Sequence, residues 1–145
     1  MNQDEKIIRK CLQGKVNSHK HISYISKNGE IIPQTIRINE WYYHAEQRAL
    51  RAVAKYLCRA SKSKESKWRF YPPRGWDHIK KKGLIIHSLR YSTKGLLRNA
   101  KPCKNCVDTI KLWGIPLIEY SLQEGLTKIE KTLNICTNHI SRFSR

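Results

Sequence analysis

The chain has 145 residues and a formal net charge of +18, from 29 Lys and Arg residues against 11 Asp and Glu residues. This length allows a single domain with a buried core, which we expect to span residues 1–145. No stretch approaches the about 20 apolar residues of a membrane span, and the N-terminal MNQDEKIIRK lacks the apolar segment of a secretory signal. We therefore expect a soluble intracellular protein, cytoplasmic or nuclear.

The basic charge is the strongest compositional feature of the chain. Solubility is usually served by a net charge of about 2 to 8 in a small domain, and a domain this basic repels itself unless it meets a polyanion. Nucleic acid or a nucleotide is therefore the first partner to consider. A generic solubility charge is the alternative interpretation.

The N-terminal part of the chain predicts a helix followed by a β-hairpin. Residues 4–12, DEKIIRKCL, have the spacing of a short amphipathic helix. Two runs of period two, at about 19–26 and 30–38, flank Asn28-Gly29, which is the strongest short-range hairpin signal. Pro33 indicates an irregularity or an unpaired edge in the second strand.

A run of good helix formers extends from His44 to about Ala60, with His44 and Glu46 together in its first turn. Residues 61–82 then interrupt every regular pattern, with eight Lys and Arg residues, two acids and two prolines. We interpret this segment as an insertion or long ordered loop. Its basic side chains and aromatic rings could hold phosphates and stack on bases; the alternative is that the rings pack the loop onto the domain.

The C-terminal half alternates strands and a helix. Residues 83–91 predict a third strand, apolar enough to be central in a sheet, and residues 92–101 a basic loop. A helix begins at Cys103 and ends at Gly114. A fourth strand at 116–121 and a fifth at 126–135 follow, before a basic tail at 137–145; a helix over 127–140 competes with the fifth strand.

Two motifs carry the chemistry, His44-Ala45-Glu46 and Pro102-Cys103-Lys104-Asn105-Cys106. Cysteines three apart at a helix start can direct both sulfurs at one ion, and the helix N-terminus favours thiolates. With His44 they give three ligands, which is the arrangement of a catalytic zinc site with one position open for water. Glu46 would lie beside the metal and transfer protons. A closed structural zinc site, with His87 or His139 as fourth ligand, is the alternative.

Together the two motifs resemble the H-x-E and P-C-x-x-C signature of zinc-dependent cytidine deaminase-like proteins. The resemblance extends from the hairpin to the fourth strand. It implies a three-layer α/β/α fold with a mixed sheet of about five strands, Zn²⁺ bound by His44, Cys103 and Cys106, and Glu46 as general acid and base. The implied reaction is hydrolytic deamination of cytosine, with adenine as the alternative base.

The resemblance also suggests substrate contacts. Relatives often have a sugar-contacting asparagine shortly before H-x-E, and Asn39 occupies that place. The small hydroxyl residue that often precedes the Pro-Cys of the family is replaced by Ala100-Lys101, so that contact is not carried over. The residues predicted to bind substrate are Asn39, Trp41, Tyr42, Tyr43, Ala45 and Lys101.

Topology separates two groups of basic residues. In the expected fold both ligand helices begin at one edge of the sheet, so the insertion at 61–82 lies at the opposite edge. It would serve as a polyanion anchor, a subunit contact or a docking site for a larger assembly, not as a lid over the pocket. The predicted nucleic-acid-binding residues are Lys15, Lys20, Lys94 and Arg98 near the pocket, and Trp68, Arg69, Arg74, Lys80, Lys81 and Lys82 in the insertion.

The sequence leaves two functions open. The first is a zinc-dependent deaminase acting on cytosine in a nucleotide or nucleic acid, for which the charge favours a polynucleotide over a free nucleoside. The second is a deaminase fold used as a basic nucleic-acid-binding or structural component of a nucleoprotein or virion-like assembly, a role that has no use for Glu46. Deaminase folds often associate, which leaves a homo-oligomer or a larger assembly open.

Overall fold

The computed structural model describes residues 6, 20–39, 44–58, 71–92 and 96–137. Within these ranges the fold is α/β, with a mixed open sheet of six strands and two helices. The strands are β1 (Lys20–Lys27), β2 (Glu30–Ile38), β3 (Leu84–Tyr91), β4 (Leu97–Arg98), β5 (Leu117–Ser121) and β6 (Thr127–Lys131), and the helices are α1 (Ala45–Cys58) and α2 (Lys104–Leu112). Neither described helix has the length and apolarity needed to cross a membrane.

The sheet has the strand order β2-β1-β3-β5-β6, with β4 pairing beside the end of β3. β3 and β5 run parallel, and the other pairs are antiparallel. Asn28 and Gly29, with φ of 52° and 85°, form the tight turn of the predicted hairpin. The predicted irregularity near Pro33 is also present, since the β1–β2 register shifts there and the Thr35 hydroxyl accepts a hydrogen bond from Ile25 N–H at 2.8 Å.

Both helices lie against one face of the sheet. The apolar sides of α1 and α2 pack with alternate residues of β1, β3 and β5, and this forms the main core. A smaller cluster of Ile22, Tyr24, Ile36 and Leu89 covers the opposite face. The predicted third layer needs a helix on that face, and the predicted helix over 4–12 falls, apart from Lys6, outside the described residues.

Two details of the predicted C-terminal half are corrected. The loop predicted over 92–101 contains β4, so the described sheet has six strands and not about five. The fifth predicted strand is confirmed as β6, and the competing helix over 127–140 is wrong, because Thr127–Lys131 pairs along β5 and a 3₁₀ turn follows at Thr132–Asn134. Gly114, with φ of 73°, follows α2 as predicted.

The described part of the insertion is fixed to the end of α2 that lies farthest from Cys103. The buried Trp76 indole N–H donates to the Trp113 carbonyl at 2.8 Å, and the two rings meet edge to face at 5.0 Å. Trp113 follows α2 whereas Cys103 caps its start, so this nine-residue helix separates them by about 14 Å. For Trp76 the packing interpretation is therefore the correct one.

Candidate metal centre

The two motifs meet at one edge of the sheet because of strand direction. β2 and β3 are both antiparallel to β1, so they run the same way and end at the same edge. α1 follows β2 there, with His44 immediately before its first residue. β5, parallel to β3, ends at Ser121, whose carbonyl accepts from Ala100 N–H at 2.8 Å. That bond brings the chain just before Cys103 to the same edge.

His44, Cys103 and Cys106 form a buried group that can hold a metal ion, with their ligand atoms all within 4.8 Å of one another. His44 Nδ1 lies 3.0 Å from Cys106 Sγ and 3.6 Å from Cys103 Sγ. Zn–N and Zn–S bonds of about 2.0 and 2.3 Å give an N···S separation of about 3.6 Å in tetrahedral coordination. The separation of His44 from Cys103 matches this value, and its separation from Cys106 is shorter. Imidazole and thiolate are ligands that zinc prefers, so the donor set fits this ion.

The ligand pKa values show how the three groups influence one another. A hydrogen bond from the Cys106 thiol, supported by one from the His44 ring, lowers the pKa of Cys103 to about 3. The same bond, together with burial, raises the pKa of Cys106 well above its usual value. Burial lowers the pKa of His44, but the Cys103 thiolate and the Glu46 charge outweigh it and raise this pKa overall. Cys106 therefore carries a proton that a metal must displace.

Glu46 lies beside this group and is almost completely buried, with 1% of its surface exposed. Its Oε1 has no hydrogen-bond partner in the described part of the chain. The Nε2 atom of His21 lies 3.4 Å from Oε1. Leaving a buried carboxylate oxygen unpaired costs about 1–3 kcal/mol or more, and Glu46 bears this cost beside three metal-type ligands.

His21 and Ser88 hold the surroundings of Glu46 in place. The Ser88 hydroxyl donates to the Ala100 carbonyl at 3.0 Å, so its oxygen accepts from His21 Nε2–H at 2.6 Å. The His21 proton therefore lies on Nε2 and points to Ser88, so the 3.4 Å contact of this nitrogen with Glu46 Oε1 is not a second hydrogen bond. Sequence reasoning missed both residues, although the alternation of β1 and β3 does place them on the helix-covered face.

Asn39 fixes the start of α1. Its Oδ1 accepts the Ala45 backbone N–H at 2.6 Å, and its own backbone N–H donates to the His21 carbonyl at 3.1 Å. The predicted sugar contact stays a prediction. Ala45 is buried and Lys101 is exposed near the α2 start, whereas the other predicted substrate-binding residues, Trp41, Tyr42 and Tyr43, lie outside the described residues.

The predicted nucleic-acid-binding residues fall into three groups. Arg98 is exposed on β4, at the same edge as the metal-type ligands. Arg74, Lys80, Lys81 and Lys82 lie in the described part of the insertion, remote from that edge, and the Lys81 ammonium group donates to the carbonyls of Trp76 and Ile79. The side chains of Lys15, Lys20, Lys94, Trp68 and Arg69 are not among those described.

His87 is not the fourth ligand of a closed zinc site. It lies on the opposite face of the sheet, where Nδ1 contacts Glu119 Oε1 at 2.8 Å and Nε2 contacts Ser26 Oγ at 2.7 Å. The Tyr24 ring stacks on it at 4.4 Å. His139, the other residue considered, lies outside the described residues.

Comparisons of the chain with family models, curated proteins and solved structures find no match. The interpretation of the site therefore depends on its donor set, its burial and the carboxylate beside it.

Proposed function

We propose that the chain is a zinc-dependent hydrolytic deaminase that acts on cytosine in a nucleotide or nucleic acid. The observation that carries the proposal is the buried carboxylate oxygen of Glu46, unpaired within the described residues and adjacent to the His44, Cys103 and Cys106 group. Its support from the sequence is the resemblance of both motifs to the deaminase signature.

The number of ligands favours catalysis over a purely structural zinc. A structural site is usually closed by four protein ligands, whereas a catalytic site keeps one position open. In the described part of the chain the ligand group consists of three residues, and no further His, Cys or acidic residue joins it. A bound zinc ion would supply Lewis-acid activation of a water molecule at that open position.

The residues of the chain supply the proton transfers. In the net reaction a C–O bond forms at the ring carbon, the exocyclic C–N bond breaks, one water is consumed and ammonia leaves. The Glu46 carboxylate accepts a proton from the attacking water and delivers protons to the ring nitrogen and the departing amine. Burial keeps bulk water from exchanging those protons, and His21 Nε2–H, 3.4 Å away, limits the positions open to Oε1.

A basic nucleic-acid-binding or structural protein is the second candidate. The +18 charge favours it, as does the anchoring of the described insertion far from the ligand group. In that role Glu46 has no task, and a neutral residue would cost less to bury.

The test combines metal analysis with ammonia release from cytidine, cytidine 5′-monophosphate, deoxycytidine 5′-monophosphate and single-stranded oligonucleotides. We expect one zinc per chain and ammonia release that Glu46→Gln abolishes while zinc stays bound. Glu119→Gln is the matched control, because the same substitution on the opposite face should leave turnover intact. Ammonia release that persists in Glu46→Gln would refute the mechanism, and one bound zinc without turnover on any substrate would favour the structural role.

A further inference from the structure

Two arginines face each other at the edge of the sheet where the ligand group lies. Arg90 on β3 and Arg98 on β4 are direct register partners, and both are exposed. Like charges directly opposite one another on antiparallel strands destabilise the pair. Among the ion pairs between described residues, none involves either arginine. The pair thus concentrates positive charge that no described acid neutralises.

A single buried hydroxyl fixes the backbone of both arginines. Ser121 Oγ on β5 accepts from Arg90 N–H at 3.1 Å and donates to the Arg98 carbonyl at 2.6 Å. The Ser121 side chain is buried, and its backbone carbonyl also accepts from Ala100 N–H. The two guanidinium groups therefore extend from a rigid three-strand support, which is the setting that gives a binding site its precision.

The two arginines lie on the face of the sheet against which α1 packs, and α1 carries Glu46. Arg90 follows Ser88 by two positions on β3, so both side chains point to the same face. His21, which contacts Ser88 and lies 3.4 Å from Glu46 Oε1, is the β1 register partner of Arg90. One row across three strands thus leads from His21 to Arg90 and then to Arg98.

The spacing of this row matches the dimensions of one nucleotide. Neighbouring strands are about 4.8 Å apart, which places the arginines about one and two strand spacings from the ring that touches Glu46. A base and the phosphate attached to its sugar are separated on the same scale. The arginines lie on the solvent side, where a phosphate keeps part of its hydration.

We propose that Arg90 and Arg98 form a phosphate-binding subsite for the substrate of this protein. Each guanidinium presents a planar fork that can bind two phosphate oxygens, and the phosphate removes the repulsion between the two cations. The substrate class is therefore a phosphorylated cytosine compound, with the phosphate as a monoester in a nucleotide or a diester next to the target cytosine. The identity of the base rests on the proposed function, whereas the phosphate contact stands on the arginine pair alone.

Binding without turnover tests the subsite. Isothermal titration calorimetry on the zinc-loaded Glu46→Gln protein would use cytidine 5′-monophosphate, cytidine and ribose 5-phosphate as ligands. We expect Arg90→Gln and Arg98→Gln each to weaken the binding of both phosphorylated ligands about ten-fold or more, as is usual for a lost charged hydrogen bond. The affinity for cytidine should change by less than about two-fold, because cytidine has no phosphate to contact either arginine. Arg→Lys at either position should fall between, because charge remains but the fork is lost.

The matched control is the double variant Lys55→Gln/Lys131→Gln. These exposed lysines lie at the end of α1 and on β6 opposite Leu117, away from the ligand edge. A double variant Arg90→Gln/Arg98→Gln loses the same charge as this control, so a general electrostatic effect would weaken phosphate binding equally in both. Equal weakening, or an arginine variant that binds both phosphorylated ligands normally, overturns the subsite. Unchanged zinc content and unfolding temperature confirm that each variant is folded.

A single-stranded oligonucleotide with one cytosine distinguishes the two sources of phosphate. If a diester occupies the subsite, each arginine variant should lower the slope of log affinity against log salt by about 1, whereas a monoester subsite affects the mononucleotide only.

Ribose 5-phosphate carries no base, so its binding tests the phosphate subsite separately from the proposed deaminase function. Weaker binding of ribose 5-phosphate by the arginine variants supports the subsite even if no cytosine compound is deaminated. If cytosine is deaminated but the arginine variants bind phosphorylated ligands normally, the subsite alone is refuted.

Discussion

Replacing Glu46 by glutamine should stabilise the protein, and the same replacement at Glu119 should destabilise it. Glu46 is a buried carboxylate with one oxygen unpaired in the described structure. Glu119 accepts a hydrogen bond from His87 Nδ1 at 2.8 Å. Glutamine has nearly the same shape as glutamate and no charge, so it lowers the cost of burial at the first position and weakens a partnered bond at the second.

The magnitudes follow from the contacts. An unsatisfied buried polar group costs about 1–3 kcal/mol, and more when it is charged. Glutamine keeps a buried amide at this position but removes the charge, so Glu46→Gln should raise the free energy of unfolding by about 1 kcal/mol. A hydrogen bond to a charged group contributes about 1.5–3 kcal/mol and a neutral one about 1 kcal/mol, so Glu119→Gln should lower it by about 1 kcal/mol. In a domain of this size 1 kcal/mol corresponds to about 2–4 °C, so the first variant should melt about 3 °C higher and the second about 3 °C lower.

The assay is thermal and denaturant unfolding of the parent and both variants at one equivalent of zinc, with metal content measured in each sample. Equal zinc content is required because bound metal itself adds stability. A Glu46→Gln protein that is less stable than the parent would show that the carboxylate is well satisfied in the folded state. A change of the unfolding free energy in the same direction in both variants would also contradict the prediction.

Three further outcomes are expected. Cys106→Ser should reduce zinc binding about ten-fold or more, whereas Cys58→Ser, which changes a thiol that donates to the Ala54 carbonyl within α1, should retain one zinc per chain by metal analysis. Zinc binding at pH 7 should release more than one proton, because the raised pKa values leave Cys106 protonated and His44 partly protonated before the metal binds. Zinc affinity should therefore fall as the pH is lowered. Calorimetry in buffers of different ionisation enthalpy measures the number of protons released, and a release of none would contradict the assignment. Trp76→Phe should lower stability by about 1 kcal/mol through loss of the indole hydrogen bond while zinc content stays at one equivalent, and a loss of zinc would show that the insertion does act on the site.

The group formed by His44, Cys103 and Cys106 could be predicted because each motif is local. Cys103 and Cys106 lie one helical turn apart at the start of α2. His44 directly precedes α1, a helix that the run of helix-forming residues after it predicts. The hairpin could also be predicted, since Asn28-Gly29 favours the backbone angles that its turn requires. In these cases a few neighbouring residues determine the geometry.

The surroundings of Glu46 could not be predicted because they depend on strand register. The His21 to Ser88 hydrogen bond joins residues 67 positions apart, and a register slip of one residue would turn either side chain to the other face. β4 has two residues, too few for an alternating pattern, and its existence depends on pairing with Arg90 and Tyr91. Composition also could not show that the Trp76 ring of the insertion is buried.

The attachment of Trp76 to the end of α2 bears on how this chain can vary in length. The entropic cost of closing a flexible loop grows by only about 0.6 kcal/mol for each doubling of its length. The hydrogen bond from Trp76 to Trp113 holds the connection between Cys58 and Leu84 at an intermediate point, and residues 77–83 lead from that point directly into β3. A change of chain length on the Cys58 side of Trp76 therefore adds a closure cost of only this order, and it leaves His44, Cys103, Cys106 and the arginine pair in place.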